Sequence, residues 1–246
     1  MAYRENPKTK GSGIVCAIPQ TGTCPNDCDD CFFQSGRSYL EPLDRNLPNV
    51  PEHVEPWQVI RINDGNDSNV DRQQVVAWAK KKAKMFFFNT AIPKGLHSFP
   101  GPVVLTINPG RMTDVDFHKV NPVPENLMFV RIRTNTWNLS RVVDPAVQYY
   151  ARRSIPIVLT FMAYYGTSNT IPEAHRQEYV YRKRTLNDYH AITTKAWERI
   201  MQRYRHSQWV YSCGKTEGED GTTSCRHCGN CLREYFATMQ RMHSGE

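Results

Sequence analysis

Cysteine is the residue type whose spacing points most directly to chemistry. Seven of the eight cysteines fall into two groups, and about 180 residues without cysteine separate them. This spacing argues against a disulfide scaffold and against a row of small metal repeats. Clustered cysteines in a reducing compartment usually hold metal, so the sequence predicts at most two metal sites. The groups are Cys24, Cys28 and Cys31, spaced Cys-x3-Cys-x2-Cys, and Cys213, Cys225, Cys228 and Cys231, spaced Cys-x11-Cys-x2-Cys-x2-Cys.

The first group has three cysteines, which is one fewer than a closed site needs. A structural zinc site has four protein ligands, and three ligands leave one coordination position open. In a four-iron cluster each iron takes one cysteine, so Cys24, Cys28 and Cys31 would leave one iron open to a cofactor or substrate. The number of ligands therefore predicts a reactive site.

The second group has four cysteines and can close a site completely. Zinc bound by four thiolates fits the spacing, and so does ferredoxin-like iron–sulfur ligation, which uses a Cys-x2-Cys-x2-Cys run with one remote cysteine. His227 lies within the run and is interpreted as a bystander. Cys16 belongs to neither group and is interpreted as a buried strand residue.

Six short apolar runs, rich in residues that favour strands, recur along the chain. Their near-continuous apolar character is typical of parallel strands that are covered on both faces. The predicted strands are residues 13–18, 57–62, 85–88, 103–107, 127–132 and 155–162.

Helical patterns lie between several of these strands. We predict helices over Val70–Lys84, Asp144–Arg153 and Asn187–Arg205. Alternating strands and helices predict an α/β fold, a partial (β/α)6 barrel of parallel strands with reactive groups at the carboxyl ends of the strands. We assign residues 1–205 to this barrel and residues 206–246 to a small cysteine-rich metal-binding extension.

Residues 23–33 resemble the cluster loop of the radical S-adenosylmethionine enzymes, because Cys24, Cys28 and Cys31 follow the first strand of a partial barrel. The resemblance extends over roughly residues 12–205. It implies a 4Fe–4S cluster that reductively cleaves S-adenosylmethionine to methionine and a 5′-deoxyadenosyl radical, which takes hydrogen from the substrate. It also implies an external electron donor of the flavodoxin or ferredoxin type. Many members have an aromatic residue before the third cysteine, whereas this chain has Asp30 there, so packing around the cluster would differ.

The loop after the second predicted strand is the expected place for the methionine end of the cofactor. Many members of the family have a Gly-Gly-Glu stretch here. This chain instead has Asn63, Asp64, Gly65, Asn66 and Asp67, which offer acceptors and a flexible backbone. An ordinary turn has the same composition, so both interpretations stay open.

Further candidates for cofactor binding lie at later strand ends. They are Asn108, Arg131, Arg133 and Asn135. Arg131 and Arg133 share one face of their strand and would meet either the cofactor's carboxylate or carboxylates of the protein. The resemblance also implies that a C-terminal cysteine group holds an auxiliary iron–sulfur cluster, with zinc as the alternative.

Composition sets the remaining expectations. The 246 residues are 39% hydrophobic and carry a formal net charge of +7, which favours an anionic substrate or a nucleic acid. The apolar runs are too short to cross a membrane, and the N-terminus lacks the apolar region of a signal peptide, so we expect a cytoplasmic protein with no membrane partner. The rival hypothesis is a zinc-stabilised, basic nucleic-acid-binding protein without catalytic activity, which explains the charge but not the group of three cysteines.

Overall fold

The computed structural model describes residues 2–26, 28, 31, 33, 39–108, 117–165, 170–183, 188–213 and 225–244. Seven of its strands form a parallel sheet, and three form a small antiparallel sheet. The strands in chain order are β1 Ile14–Ala17, β2 Val59–Ile62, β3 Phe86–Thr90, β4 Val103–Ile107, β5 Leu127–Thr134, β6 Ile157–Phe161, β7 Tyr164–Tyr165, β8 Tyr179–Arg182, β9 Tyr189–Ile192 and β10 Val210–Ser212.

The parallel sheet is a curled half-barrel with the strand order β1-β2-β3-β4-β5-β6-β10. All six predicted strands are present, and the prediction of an α/β fold with a partial parallel barrel is confirmed at this level. The prediction missed a seventh strand, β10, which pairs with β6. Because all seven strands are parallel, their carboxyl ends lie at the same edge of the sheet.

Three helices cover the outer face of the half-barrel: α1 Arg72–Lys82, α2 Asp144–Ala151 and α3 Thr194–Arg203. Their apolar residues, for example Val75 on α1 and Trp197 on α3, belong to the main core, which lies between the helices and the sheet. A π-helical turn over Leu139–Val143 leads into α2, and 3-10 turns cover Leu96–Ser98 and Glu173–Glu178.

The predicted helix over Asn187–Arg205 is wrong at its beginning. Residues Tyr189–Ile192 form β9, and α3 starts only at Thr194. The hydroxyl of Thr193 accepts a hydrogen bond from the backbone N–H of Ala196, which fixes this helix start. The small sheet, in the order β7-β9-β8, follows the carboxyl end of β6.

The C-terminal segment packs on the inner, concave face. It contains the short helix α4, Cys225–Cys228, and the longer helix α5, Asn230–His243. Tyr235 and Leu232 of α5 join an apolar cluster that lies at the amino-terminal part of the strands. This cluster includes Val59, Phe87, Val104, Phe129 and Val158.

The same segment connects the two edges of the half-barrel. The backbone N–H of Cys225 donates to the carbonyl of Lys8, shortly before β1, at 2.9 Å. The Asn230 amide donates to the carbonyl of Ser212, on β10, at 2.9 Å. The boundary that we expected at residue 206 falls between α3 and β10, so the cysteine-rich segment begins with a strand of the main sheet. Among the residues that the structure describes, every helix is too short or too polar to cross a lipid bilayer.

We predict that replacing Tyr235 with Ala destabilises the protein by about 3–5 kcal/mol, because the side chain is only 2% exposed and its loss leaves a cavity under α5. Urea unfolding followed by circular dichroism measures this change. Phe236 is the matched control, since it is the next residue, is 54% exposed, and should change the free energy of unfolding by less than about 0.5 kcal/mol when replaced with Ala. A Tyr235→Ala effect below about 0.5 kcal/mol, as small as that expected for Phe236→Ala, would show that the packing of Tyr235 does not stabilise the half-barrel.

Candidate metal and cofactor site

The first cysteine group follows β1, at the carboxyl edge of the sheet. We call residues 22–33 the cysteine segment. Cys24, Cys28 and Cys31 are all half-buried, and the backbone N–H of Cys31 donates to the carbonyl of Cys28 at 3.0 Å. The pKa of Cys24 is raised to about 11, mainly by burial; a backbone hydrogen bond from Asn26 lowers it, and Asp67, Cys28 and Cys31 contribute to the rise. The three thiols are therefore close enough to influence one another. Asp30 and Phe32 lie outside the described residues.

Asp67 fixes this segment to the strand ends beside it. Its buried carboxylate accepts hydrogen bonds from the Asn26 amide at 2.8 Å and from the Thr90 hydroxyl at 2.6 Å. It also accepts from the backbone N–H groups of Ala91, at 2.7 Å, and Asn69, at 2.8 Å. One side chain thus connects the cysteine segment, the loop after β2 and the end of β3.

Gly65 brings the loop after β2 into contact with the cysteine segment. A Cβ atom at this position would overlap the ring of Phe33, two residues after Cys31. Phe33 itself packs in a small apolar cluster with Ile18 and Leu40, against which Cys31 also packs. Glycine is therefore required here for the close approach of the backbone.

The other polar residues of this loop have partners within the protein. The Asp64 carboxylate accepts from the Asn6 amide at 2.8 Å and from the Tyr39 hydroxyl at 3.2 Å. The Asn66 amide donates to the carbonyl of Gly22 at 2.8 Å. Asn63 has a φ of 62°, a left-handed conformation that asparagine tolerates, and its amide nitrogen donates to Ser68 at 3.1 Å.

One acceptor of this loop has no partner in the described part of the chain. It is the buried side-chain oxygen Oδ1 of Asn63. Both interpretations of the loop therefore have support: its carboxylates organise a turn, and this oxygen and the backbone can contact a ligand.

Asn108, Arg133 and Thr160 stand side by side on the concave face, near the carboxyl ends of β4, β5 and β6. Arg133 pairs with Thr160, and the pairing of Thr106 with Arg131 places Asn108 beside Arg133. Asn108 is only 6% exposed, yet neither of its side-chain polar atoms has a partner among the described residues, and the hydroxyl of Thr160 is in the same condition. Buried polar atoms normally have partners, so Asn108 and Thr160 have binding capacity that the described residues do not use.

The remaining two candidates at the strand ends are bonded within the protein. Arg131 donates to the side-chain oxygen of Asn89 at 3.1 Å. The Asn135 oxygen accepts from the backbone N–H groups of Trp137 and Asn138, and its amide donates to the hydroxyl of Tyr164. Asn135 thus holds the turn after β5.

The second cysteine group gathers at the end of β10. The backbone N–H of Cys213 donates to the carbonyl of Leu159 at 2.8 Å, and Cys231 packs against the apolar cluster under α5. Burial raises the pKa of Cys231 to about 12, although Arg131 and Arg61 lower it. Cys225 and Cys213 also act on Cys231, so these thiols are neighbours.

The donor set of each group fits the metal centre that its spacing predicts. All eight cysteines lie in the described ranges, and none is in a disulfide. Three neighbouring thiols suit an open site and four suit a closed one. Within those ranges, no three His, Cys, Asp or Glu side chains are already arranged to hold a metal ion.

Arg61 is the residue near the candidate sites that we did not single out from the sequence. It lies on β2 in register with Cys16 of β1. Its Nε atom is buried without a partner in the described ranges. A charged residue within the apolar run Val59-Ile60-Arg61-Ile62 was the available signal.

Comparison of the chain with family models, with curated proteins and with solved structures finds no match. The chemistry of the site must therefore be argued from the residues themselves.

We predict that replacing Gly65 with Ala weakens metal binding by the first cysteine group, because the new methyl group displaces Phe33 and with it the segment around Cys31. Iron content after anaerobic reconstitution measures the effect. Gly22 is the matched control in the cysteine segment, since a Cβ atom there meets nothing within 4 Å. If the Gly65 and Gly22 variants bind the same amount of iron, the contact between Gly65 and Phe33 does not position the cysteines.

Proposed function

We propose that this protein is a radical S-adenosylmethionine enzyme. The observation that carries the proposal is the set of three neighbouring thiols, Cys24, Cys28 and Cys31, on one segment after the first strand of a parallel half-barrel. A structural zinc site would use a fourth protein ligand, whereas three cysteines leave one iron of a four-iron cluster open.

The bound cluster would supply the electron that cleaves S-adenosylmethionine to methionine and a 5′-deoxyadenosyl radical, which then takes hydrogen from a substrate. The chain's contribution is to hold and position. Asp67 and Gly65 fix the cysteine segment against the ends of β2 and β3. In this proposal the cysteine segment keeps its position when the cofactor arrives, because those contacts are already made.

The loop from Asn63 to Asp67 is the proposed contact for the ammonium group of the cofactor. The carboxylates of Asp64 and Asp67 already accept hydrogen bonds, so we assign this contact to backbone carbonyls and to the Asn63 oxygen, which has no partner among the described residues. The negative charge of both carboxylates would still attract the ammonium group.

The strand ends farther along the sheet are the proposed contacts for the cofactor's carboxylate and for the substrate. Arg133 supplies positive charge on the concave face, since Arg131 already donates to Asn89, and Asn108 supplies a buried amide without a partner in the described ranges. Asn135 would act indirectly, because its side chain is used in the turn after β5.

The proposal also includes an external electron donor of the flavodoxin or ferredoxin type, and cytoplasmic location.

We predict that replacing Cys28 with Ala abolishes reductive cleavage of S-adenosylmethionine, because one of the three cluster ligands is lost. The assay is anaerobic reaction of the reconstituted protein with dithionite and S-adenosylmethionine, followed by mass spectrometry for 5′-deoxyadenosine. Cys16→Ala is the matched control, since Cys16 is a buried cysteine of β1 outside both groups, and this variant should keep the activity. Unchanged 5′-deoxyadenosine formation in Cys28→Ala would refute the proposal.

We further propose that Cys213, Cys225, Cys228 and Cys231 hold a second centre, either a four-iron cluster or zinc. If it is a cluster, we expect about eight irons in the wild type and about four in the Cys225→Ala/Cys228→Ala double variant. If it is zinc, iron stays at about four in both and the variant loses zinc. A wild type with about four irons and no zinc would exclude a second centre.

A colourless protein that contains zinc alone would instead favour the nucleic-acid-binding hypothesis.

A further inference from the structure

Two arginines project from the strands onto the concave face of the half-barrel. Arg61 lies two residues after Val59 on β2, and Arg131 lies two residues after Phe129 on β5. Successive side chains of a strand alternate between its faces, so each arginine shares the face of the apolar residue before it. Val59 and Phe129 both belong to the cluster under α5. The arginines therefore form the next layer above that cluster.

The second cysteine group lies against the same layer. Cys213 and Cys231 both pack on the apolar cluster that contains Val59 and Phe129. Cys16 and Asp64 act most strongly on Arg61, followed by Cys231 and Cys225. Cys231 and Cys213 act on Arg131, after Arg61. Cys231 is common to both sets.

The described chain gives these arginines few partners. Arg131 has one hydrogen bond, to Asn89, and packs over the ring of Phe129 at 5.6 Å. The buried Nε of Arg61 has none among the described residues. Strands β3 and β4 lie between β2 and β5 in the sheet. Even so, the guanidinium groups of Arg61 and Arg131 repel each other, which lowers the pKa of Arg131. Asp64 is the carboxylate that acts most strongly on Arg61, and no carboxylate is among the groups that act most strongly on Arg131.

An arginine in a protein does not lose its proton, so its charge on a partly buried face needs a negative partner. Protonated thiols supply no charge, whereas metal-bound cysteines are thiolates. Four thiolates around a centre of charge about +2 leave about two negative charges, which two arginines match.

We infer that Arg61 and Arg131 are the counter-charges of the second metal centre, which lies between them on the concave face of the half-barrel. The inference rests on the proposed second centre and deepens it. It places that centre inside the half-barrel, facing the substrate space, and not on its outer surface. It holds for zinc and for an iron–sulfur cluster, because both are bound by thiolates.

Co²⁺ binding to the full-length chain tests the inference without any activity assay. The first group is removed by Cys24→Ala, Cys28→Ala and Cys31→Ala, and the metal-free protein is titrated anaerobically with Co²⁺ while thiolate-to-cobalt absorption is recorded. We expect Arg61→Gln and Arg131→Gln each to weaken Co²⁺ binding about 10–100-fold, the usual cost of losing an outer partner of a metal ligand. Arg61→Lys and Arg131→Lys keep the charge and should retain most of the affinity. Arg45→Gln removes an exposed arginine elsewhere and should bind Co²⁺ like the parent.

Three outcomes would overturn the inference. Parent-like Co²⁺ affinity in both glutamine variants would show that the arginines do not balance the centre. Lysine variants as weak as the glutamine variants would show that guanidinium packing matters and charge does not. An absence of thiolate-to-cobalt absorption in the parent would remove the second centre itself, while leaving the Cys28→Ala test of the proposed function unaffected. Circular dichroism of each variant shows whether it is folded. If a glutamine variant is unfolded, the Co²⁺ affinity of the corresponding lysine variant tests the inference instead.

Discussion

The buried carboxylate of Asp67 is the interaction on which the candidate site depends. Its four donors come from three parts of the chain: Asn26 in the cysteine segment, Asn69 in its own loop, and Thr90 and Ala91 at the end of β3. A buried carboxylate is costly unless hydrogen bonds satisfy it, and hydrogen bonds to charged groups contribute about 1.5–3 kcal/mol each. The carboxylate and its donors are therefore stable only together. This mutual requirement ties Asn26, two residues after Cys24, to the ends of β2 and β3.

The half-barrel divides its concave face into two zones. Near the amino-terminal ends of the strands the face is apolar and is covered by α5. Toward the carboxyl ends it carries Arg61, Arg131, Arg133, Asn108 and Thr160. Because parallel strands run in the same direction, β2, β4, β5 and β6 change from apolar to polar residues on this face at about the same level of the sheet. The C-terminal segment covers the apolar zone.

The sequence was sufficient for six of the seven parallel strands. Buried parallel strands are apolar on both faces, so β1 to β6 were visible as apolar runs. Strand β10 was missed because Val210–Ser212 is short and partly polar, and its pairing with β6 is a long-range event. Strand β9 was assigned to a helix because Tyr189 and Ile192 continue the spacing of the apolar residues in α3. Helix α5 was missed although Leu232, Tyr235 and Met239 recur at helical spacing, since the cysteine motif drew the interpretation toward its ligands.

The candidate site was predictable in its residue types and not in its pairings. Asp67 was selected as an acceptor, which is correct chemistry, but its donors Asn26 and Thr90 lie 41 and 23 residues away. No local pattern can reveal such partners. The opposite holds for Asn108 and Thr160, whose buried polar atoms have no partner in the described ranges. Leaving a buried polar atom unpaired costs about 1–3 kcal/mol, and a fold that needed only stability would use apolar residues at these positions. Asn108 of β4 and Thr160 of β6 lie on either side of Arg133 of β5, a placement that the register of the sheet determines and that no single run of the sequence displays.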